Sequence, residues 1–143
     1  MILVDANILI YTVNNDAAQQ NRCKSWLIDE LSSGRPVGLP WVSLLAFIRV
    51  TTHQRIFATP LEPTQALGVI DSWLALPNVS TPEPGPRHFE LMRGLLEGAG
   101  TAGNLTNDAY LAALTLELGG KIATLDRDFA RFDLPLVIPP ELA

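Results

Sequence analysis

Apolar and polar positions alternate along the 143-residue chain in two rhythms. Short unbroken apolar runs closed by a polar residue read as buried strands. Ile2-Leu3-Val4 is one such run and ends on Asp5; Lys121-Ile122-Ala123-Thr124-Leu125 is another and ends on Asp126. Pro36-Val37-Gly38-Leu39, a stretch around Val79 and residues 134–138 read as further short strands. Between them the period lengthens to that of a helix. Residues 17–33 place Cys23, Trp26, Leu27 and Leu31 on one stripe, with Gly34 as the stop. Residues 41–50 are rich in Leu, Ala, Phe and Ile and predict a mostly buried helix. Residues 63–76 predict another, with Pro63 in the first turn and Ala66, Ile70, Trp73 and Leu74 on one face. A helix over 88–97 gives way to a flexible connector over 98–103 that holds no core-forming side chain. Thr106 or Asn107 is the expected N-cap of a helix reaching Leu118, which Gly119-Gly120 ends.

Strands and helices alternate throughout, which favours a three-layer α/β architecture around a mainly parallel sheet. The length fits one domain over residues 1–143, and no internal repeat or separating linker is visible. A chain of this size buries about 70% of the surface it exposes when unfolded, enough for a sizeable core.

Composition then narrows the chemistry. The chain is 48% hydrophobic and 17% charged, which excludes a disordered or collagen-like polymer. Fifteen Asp and Glu against ten Lys and Arg give a net charge of −5. That balance excludes a simple polycationic binder of nucleic acid, but bound cations can still bring a polyanionic substrate to an acidic protein. The lone Cys23 excludes an internal disulfide framework and any Cys/His zinc pattern, and fits a reducing cytoplasm. With His53 and His88 as the two histidines, a histidine cage is excluded as well. The opening Met1-Ile2-Leu3-Val4-Asp5 has no basic n-region of a signal peptide, and no apolar run approaches the ~20 residues of a membrane span.

The placing of the acids matters more than their number. Asp5 and Asp126 each close a predicted strand, and in open parallel sheets ligands bind outside the strands' carboxyl ends. Asp108 falls in the first turn of the helix that precedes the Asp126 strand, where the helix dipole favours an ionised carboxylate. Three ionised acids at one edge repel one another unless a cation sits between them, and Mg²⁺ or Mn²⁺ is the natural ion for oxygen ligands. Each acid also has an ordinary reading. Asp5 serves as a turn former or helix cap, Asp108 as a first-turn charge, and Asp126 as part of a solvated cluster with Arg127 and Asp128. The coincidence of all three at one edge favours the metal site.

Four segments in this order carry a likeness: Leu3-Val4-Asp5-Ala6-Asn7-Ile8-Leu9, Leu45-Ala46-Phe47-Ile48-Arg49-Val50, Asn107-Asp108-Ala109-Tyr110-Leu111-Ala112-Ala113 and Ala123-Thr124-Leu125-Asp126-Arg127-Asp128-Phe129. The sequence resembles the PIN-domain family, and in particular the VapC-type ribonuclease toxins of toxin–antitoxin pairs. The resemblance covers nearly the whole chain. It implies a Mg²⁺- or Mn²⁺-dependent endoribonuclease whose metal-binding and catalytic carboxylates are Asp5, Asp108 and Asp126. It also implies RNA as substrate, a cognate VapB-type antitoxin as partner, and a homodimer. One position departs from the family pattern: Ala46 stands where many members carry a glutamate, and neither Ser43 nor Arg49 replaces a carboxylate. One well-held ion is therefore expected rather than two. Asn7 and Thr124 are candidates to orient metal-bound water, with Asn7 alternatively capping the short helix that follows.

Two further classes remain to be separated from the enzyme. A non-catalytic PIN-like module that binds protein or RNA is motivated by Ala46; a phosphatase with Asp5 as nucleophile would want an acid where Asn7 stands. Arg49, His53 and Arg55 form a modest basic cluster, and Arg127 and Arg131 flank the third acid. They read either as grips on RNA or as ordinary surface charges. Trp26, Trp41 and Trp73 lie in apolar stripes and are expected in the core.

Overall fold

In the computed structural model, which describes residues 1–142, five short strands form one parallel sheet. They are Ile2–Val4 (β1), Val37–Gly38 (β2), Val79–Ser80 (β3), Lys121–Ala123 (β4) and Leu136–Val137 (β5), in the order β3-β2-β1-β4-β5. The chain starts in the middle, winds outward through β2 and β3, then returns to lay β4 against the other side of β1. Ile2, Leu3 and Val4 pair with Lys121, Ile122 and Ala123, and the Asp5 amide extends that ladder to the Ala123 carbonyl at 2.9 Å. The reversal of winding between β1 and β4 opens a crevice at their carboxyl ends.

Among the described residues, six helices cover the sheet: Ala6–Val13 (α1), Gln20–Ser32 (α2), Trp41–Thr51 (α3), Pro63–Leu74 (α4), His88–Ala99 (α5) and Thr106–Leu118 (α6). Alternate strand residues feed two cores, as the pleat requires. Val4, Val37 and Ala123 join Ile8, Leu9, Cys23, Leu27, Phe47 and Trp73 from α1 to α4. Leu3 and Ile122 join Leu111, Leu114, Phe129 and Phe132 on the other face, with Leu95 and Leu96 of α5 packed against them. The three-layer expectation therefore holds, and every strand pair is parallel.

Several expected boundaries move, each for a local reason. Residues 98–99 belong to α5 and not to the connector. Gly100, at φ 73°, adopts the left-handed conformation and sends its amide back to the Leu96 and Glu97 carbonyls, so the helix runs until that cap is reached. Neither Thr106 nor Asn107 caps α6 with its side chain. Gly103–Leu105 form a 3-10 turn that leads directly into the helix, leaving Leu105 at the cap position. The last predicted strand shrinks to Leu136–Val137, and β4 ends at Ala123, so Asp126 lies beyond the strand instead of closing it. The α3 helix is amphipathic rather than mostly buried: Ser43, Leu44, Phe47 and Thr51 face inward, while Trp41 is 43% and Leu45 58% exposed. Of the three tryptophans, Trp73 is buried, edge-on to Phe47 at 5.1 Å; Trp26 is half-buried; and Trp41 lies on the surface, contrary to expectation.

Candidate metal and catalytic centre

Asp5 begins the site because the chain must turn from β1 into α1 there. Its backbone is extended (φ −72°, ψ 150°), and its Oδ1 accepts the Ala6 amide at 2.7 Å, making it the N-cap of α1. The other oxygen, Oδ2, accepts a hydrogen bond from Thr124 Oγ1 at 2.8 Å. The cap reading and the site reading of Asp5 thus describe one side chain with both oxygens engaged.

Thr124, the first residue past β4, is fully buried and organises this corner. Its hydroxyl donates to Asp5 and accepts from Asn7 Nδ2 at 3.2 Å and from the Asp126 amide at 2.9 Å. One proton and two lone pairs are all a hydroxyl has, so Thr124 has no capacity left to hold a water. Asn7 does not cap α1; it lies within the helix, and its Oδ1 accepts the Leu125 amide at 3.3 Å. Between them, Asn7 and Thr124 clip the exit of β4 to the start of α1. On the α3 side, buried Ser43 donates to the Val4 carbonyl at 2.8 Å and fixes that helix to the end of β1.

Asp108 sits in the first turn of α6. With Asp5 it lines a cavity of about 160 Å³, whose other walls include Ser43, Ala46 and Asn107. Ala46 thus lines the same cavity as the two acids and brings a methyl group to it instead of a carboxylate. Asp126 does not line this cavity. It caps the 3-10 segment Arg127–Phe132, with Oδ1 accepting the Asp128 amide at 2.9 Å. Its charge is nevertheless felt inside.

Burial raises the Asp108 carboxyl to about 6, and the charges of Asp5, Asp126 and Asp128 push in the same direction, partly opposed by Arg131. Asp5 is also raised, first by burial and less by Asp126, against the hydrogen bonds from Thr124 and Ala6. Mutual repulsion of this kind marks a place that gains from a cation. Among the described residues, no group of three or more His, Cys, Asp or Glu side chains is gathered closely enough to hold an ion as placed. Two carboxylates on one cavity with a third within electrostatic reach still suit Mg²⁺ or Mn²⁺, which take one or two protein carboxylates and fill the remaining positions with water and phosphate.

The basic residues are less focused. Arg49, His53, Arg55, Arg127 and Arg131 are all exposed, and none forms an ion pair among the described residues. Arg131 alone is felt at Asp108. Two structural residues gave no warning in the sequence. Glu117 accepts the Gly85 and Arg87 amides at 2.8 and 3.0 Å and pins the proline-rich loop before α5. His88 is buried edge-on to Tyr110 at 4.9 Å.

Comparison with known proteins places this geometry in context. A family profile described as "PIN domain" matches residues 2–134. Ribonuclease VapC33 of Mycobacterium tuberculosis is 39% identical over 132 residues, covering 92% of each chain. Ribonuclease VapC37 of the same organism is 40% identical over 133 residues, covering 93% of this chain and 92% of that protein. Among solved structures, VapBC2 from Rickettsia felis, bound to a DNA fragment from its promoter, superposes with a TM-score of 0.70. The match covers 96% of this chain and 98% of that one at 18% identity, which shows a shared fold.

Proposed function

The chain belongs to the PIN-domain family, and on that footing we propose that it is a Mg²⁺- or Mn²⁺-dependent endoribonuclease, the toxin of a toxin–antitoxin pair. Its partners are RNA, as substrate, and a VapB-type antitoxin that screens the acids; a second copy of the chain completes a dimer. No helix among the described residues is long and apolar enough to cross a membrane. The observation that carries the reading is the sharing of one cavity by Asp5 and Asp108, each raised above its ordinary value. The 34–40% identity to proteins named VapC ribonucleases supplies the reaction class.

Asp5 and Asp108 would hold the ion, with Asp126 as the third carboxylate. The chemistry an ion supplies in such a place is polarisation of the scissile phosphodiester and acidification of a water for in-line attack. The protein's own part is positioning. Thr124 and the Ala6 amide fix the Asp5 carboxylate in one orientation, so no rotamer search precedes binding. Asp108, raised to about 6 by burial and by the neighbouring acids, is mostly ionised at neutral pH and so available to a cation, whose charge would relieve that repulsion. With Ala46 in place of one carboxylate of the family's usual set, Asp5, Asp108 and Asp126 remain to serve, which favours a single ion over two.

The test incubates purified protein with structured RNAs in Mg²⁺ or Mn²⁺ and then in EDTA. Cleavage that EDTA abolishes, that metal restores, and that Asp108→Asn reduces by at least about a hundredfold is expected. Cleavage indifferent to EDTA, or equal in the Asp108→Asn protein, would overturn the assignment.

A further inference from the structure

A second, larger depression of about 490 Å³ lies between α5 and the 3-10 segment Arg127–Phe132. Gly94, Gly98 and Ala99 line the helix side; Arg131 and Asp133 line the other. Gly94 and Gly98 stand one turn apart, and a Cβ at either would meet nothing within 4 Å. Leu95 and Phe132 complete the lining, and at Gly94 and Gly98 the helix presents backbone with open space above it. Short connections at Gly100 and Gly103–Leu105 join this end of α5 to the first turn of α6, where Asp108 lies.

Arg131 links the two depressions. It lines the groove, is exposed, forms no ion pair among the described residues, and is the cation whose charge reaches Asp108. An acidic cavity repels a polyanion along every approach that lacks a positive group, and this approach has one. Asp133 on the same groove keeps the positive character local, so a single phosphate contact is what Arg131 can supply.

We propose that this groove carries the RNA backbone next to the scissile bond, with the Arg131 guanidinium holding one flanking phosphate and the bare Gly94–Gly98 face admitting the sugar–phosphate chain. Arginine suits the task because its fork of donors matches two phosphate oxygens at once. The inference rests on the ribonuclease reading and adds a substrate-binding site to it.

The test uses Arg131→Gln, Arg131→Lys and Gly98→Glu in the otherwise unchanged protein. The probe is whichever RNA the wild type cuts from a pool of purified tRNA and rRNA in Mn²⁺. Arg131→Gln should raise KM about tenfold, leave kcat within roughly twofold, and make the salt dependence of binding shallower by about 0.7 in log–log slope. Arg131→Lys should recover most of the KM but not all of it. Gly98→Glu, whose side chain enters open space, should raise KM without lowering the melting temperature, and it carries the test if Arg131→Gln folds poorly. A wild-type KM and salt slope in both Arg131→Gln and Gly98→Glu would overturn the groove alone, because the parent still cuts. A parent that cuts no RNA in the pool would overturn the ribonuclease reading and the groove together.

Discussion

Thr124 Oγ1 donates a 2.8 Å hydrogen bond to Asp5 Oδ2, joining residues 119 positions apart at the crevice between β1 and β4. The same hydroxyl accepts from Asn7 and from the Asp126 amide, so one buried oxygen sets the relation between two of the three acids proposed for the site. Thr124→Val keeps the shape but strands those two donors. A loss of about 1–3 kcal/mol per stranded buried group is the expected scale. Asp5 also loses a bond that holds its carboxyl down, so its ionisation should become still less favourable. Cleavage by Thr124→Val should fall about ten- to a hundredfold, while Thr124→Ser, which keeps the hydroxyl, should stay within a few-fold of wild type. Equal activities in the two variants would refute the positioning role.

The raised Asp108 carboxyl makes a statement about stability and pH. A carboxyl held at about 6 in the folded chain and near 3.8 unfolded binds its proton more tightly when folded. Its contribution to stability is fully present below pH 3.8 and is lost as pH rises through about 6. Metal-free protein should therefore gain in melting temperature from this group between pH 7.5 and pH 5, and Mn²⁺ at pH 7.5 should produce a comparable gain. Asp108→Asn removes the charge that takes part in this repulsion. Discounted for the group's solvent contact, it should stabilise the metal-free protein at pH 7.5 by on the order of 1 kcal/mol and flatten the pH response. A destabilised Asp108→Asn protein, measured by thermal melting, would contradict this electrostatic account.

Ala46 lines the acid cavity, so Ala46→Glu would add a carboxylate facing Asp5 and Asp108. Without metal the variant should melt below wild type at neutral pH, because a further charge enters an already repulsive space. With Mn²⁺ it should bind tighter, or bind a second ion, in calorimetric titration. Unchanged stoichiometry together with unchanged affinity would mean that position 46 does not face the ion.

The β1–β4 junction depends on a close approach at its other end. A Cβ on Gly120 would lie 2.6 Å from the Met1 carbonyl oxygen, a backbone atom with nowhere to go. Gly120→Ala should cost about 1–3 kcal/mol in chemical denaturation. Gly94→Ala, where a Cβ meets nothing, should instead gain up to about 1 kcal/mol from helix propensity. The two substitutions are chemically identical, and a matching response from both would argue against the packing described.

Much of this was legible because the relevant signals are local. Apolar runs marked β1 and β4, and the expectation that Asp5 and Asp126 approach one edge follows from parallel strands whose ends align. Asp108 was readable as a first-turn residue of α6. What local patterns do not carry is the bond between Thr124 and Asp5, since nothing in either segment refers to the other. The exposure of Trp41 escaped for a related reason: an apolar helix shows how much it can bury, and its neighbours decide which side does so. The capping of α6 misled because Thr106 and Asn107 are good cap residues placed where a 3-10 turn already delivers the chain into the helix. Glu117 reads as an ordinary surface acid, and only the fold brings it to the Gly85 and Arg87 amides.

The strand order has a consequence for the timing of synthesis. β1 lies at the centre of the sheet, and its neighbour β4 starts at Lys121, with almost the whole chain between them. During translation β1 therefore waits with one edge unpaired, and Asp5 with neither Thr124 beside it nor Asp126 nearby, until the segment from Lys121 onward has been made. A chain cut short before β4 would therefore keep Asp5 and Asp108 but lack the Thr124 hydroxyl that orients the Asp5 carboxylate.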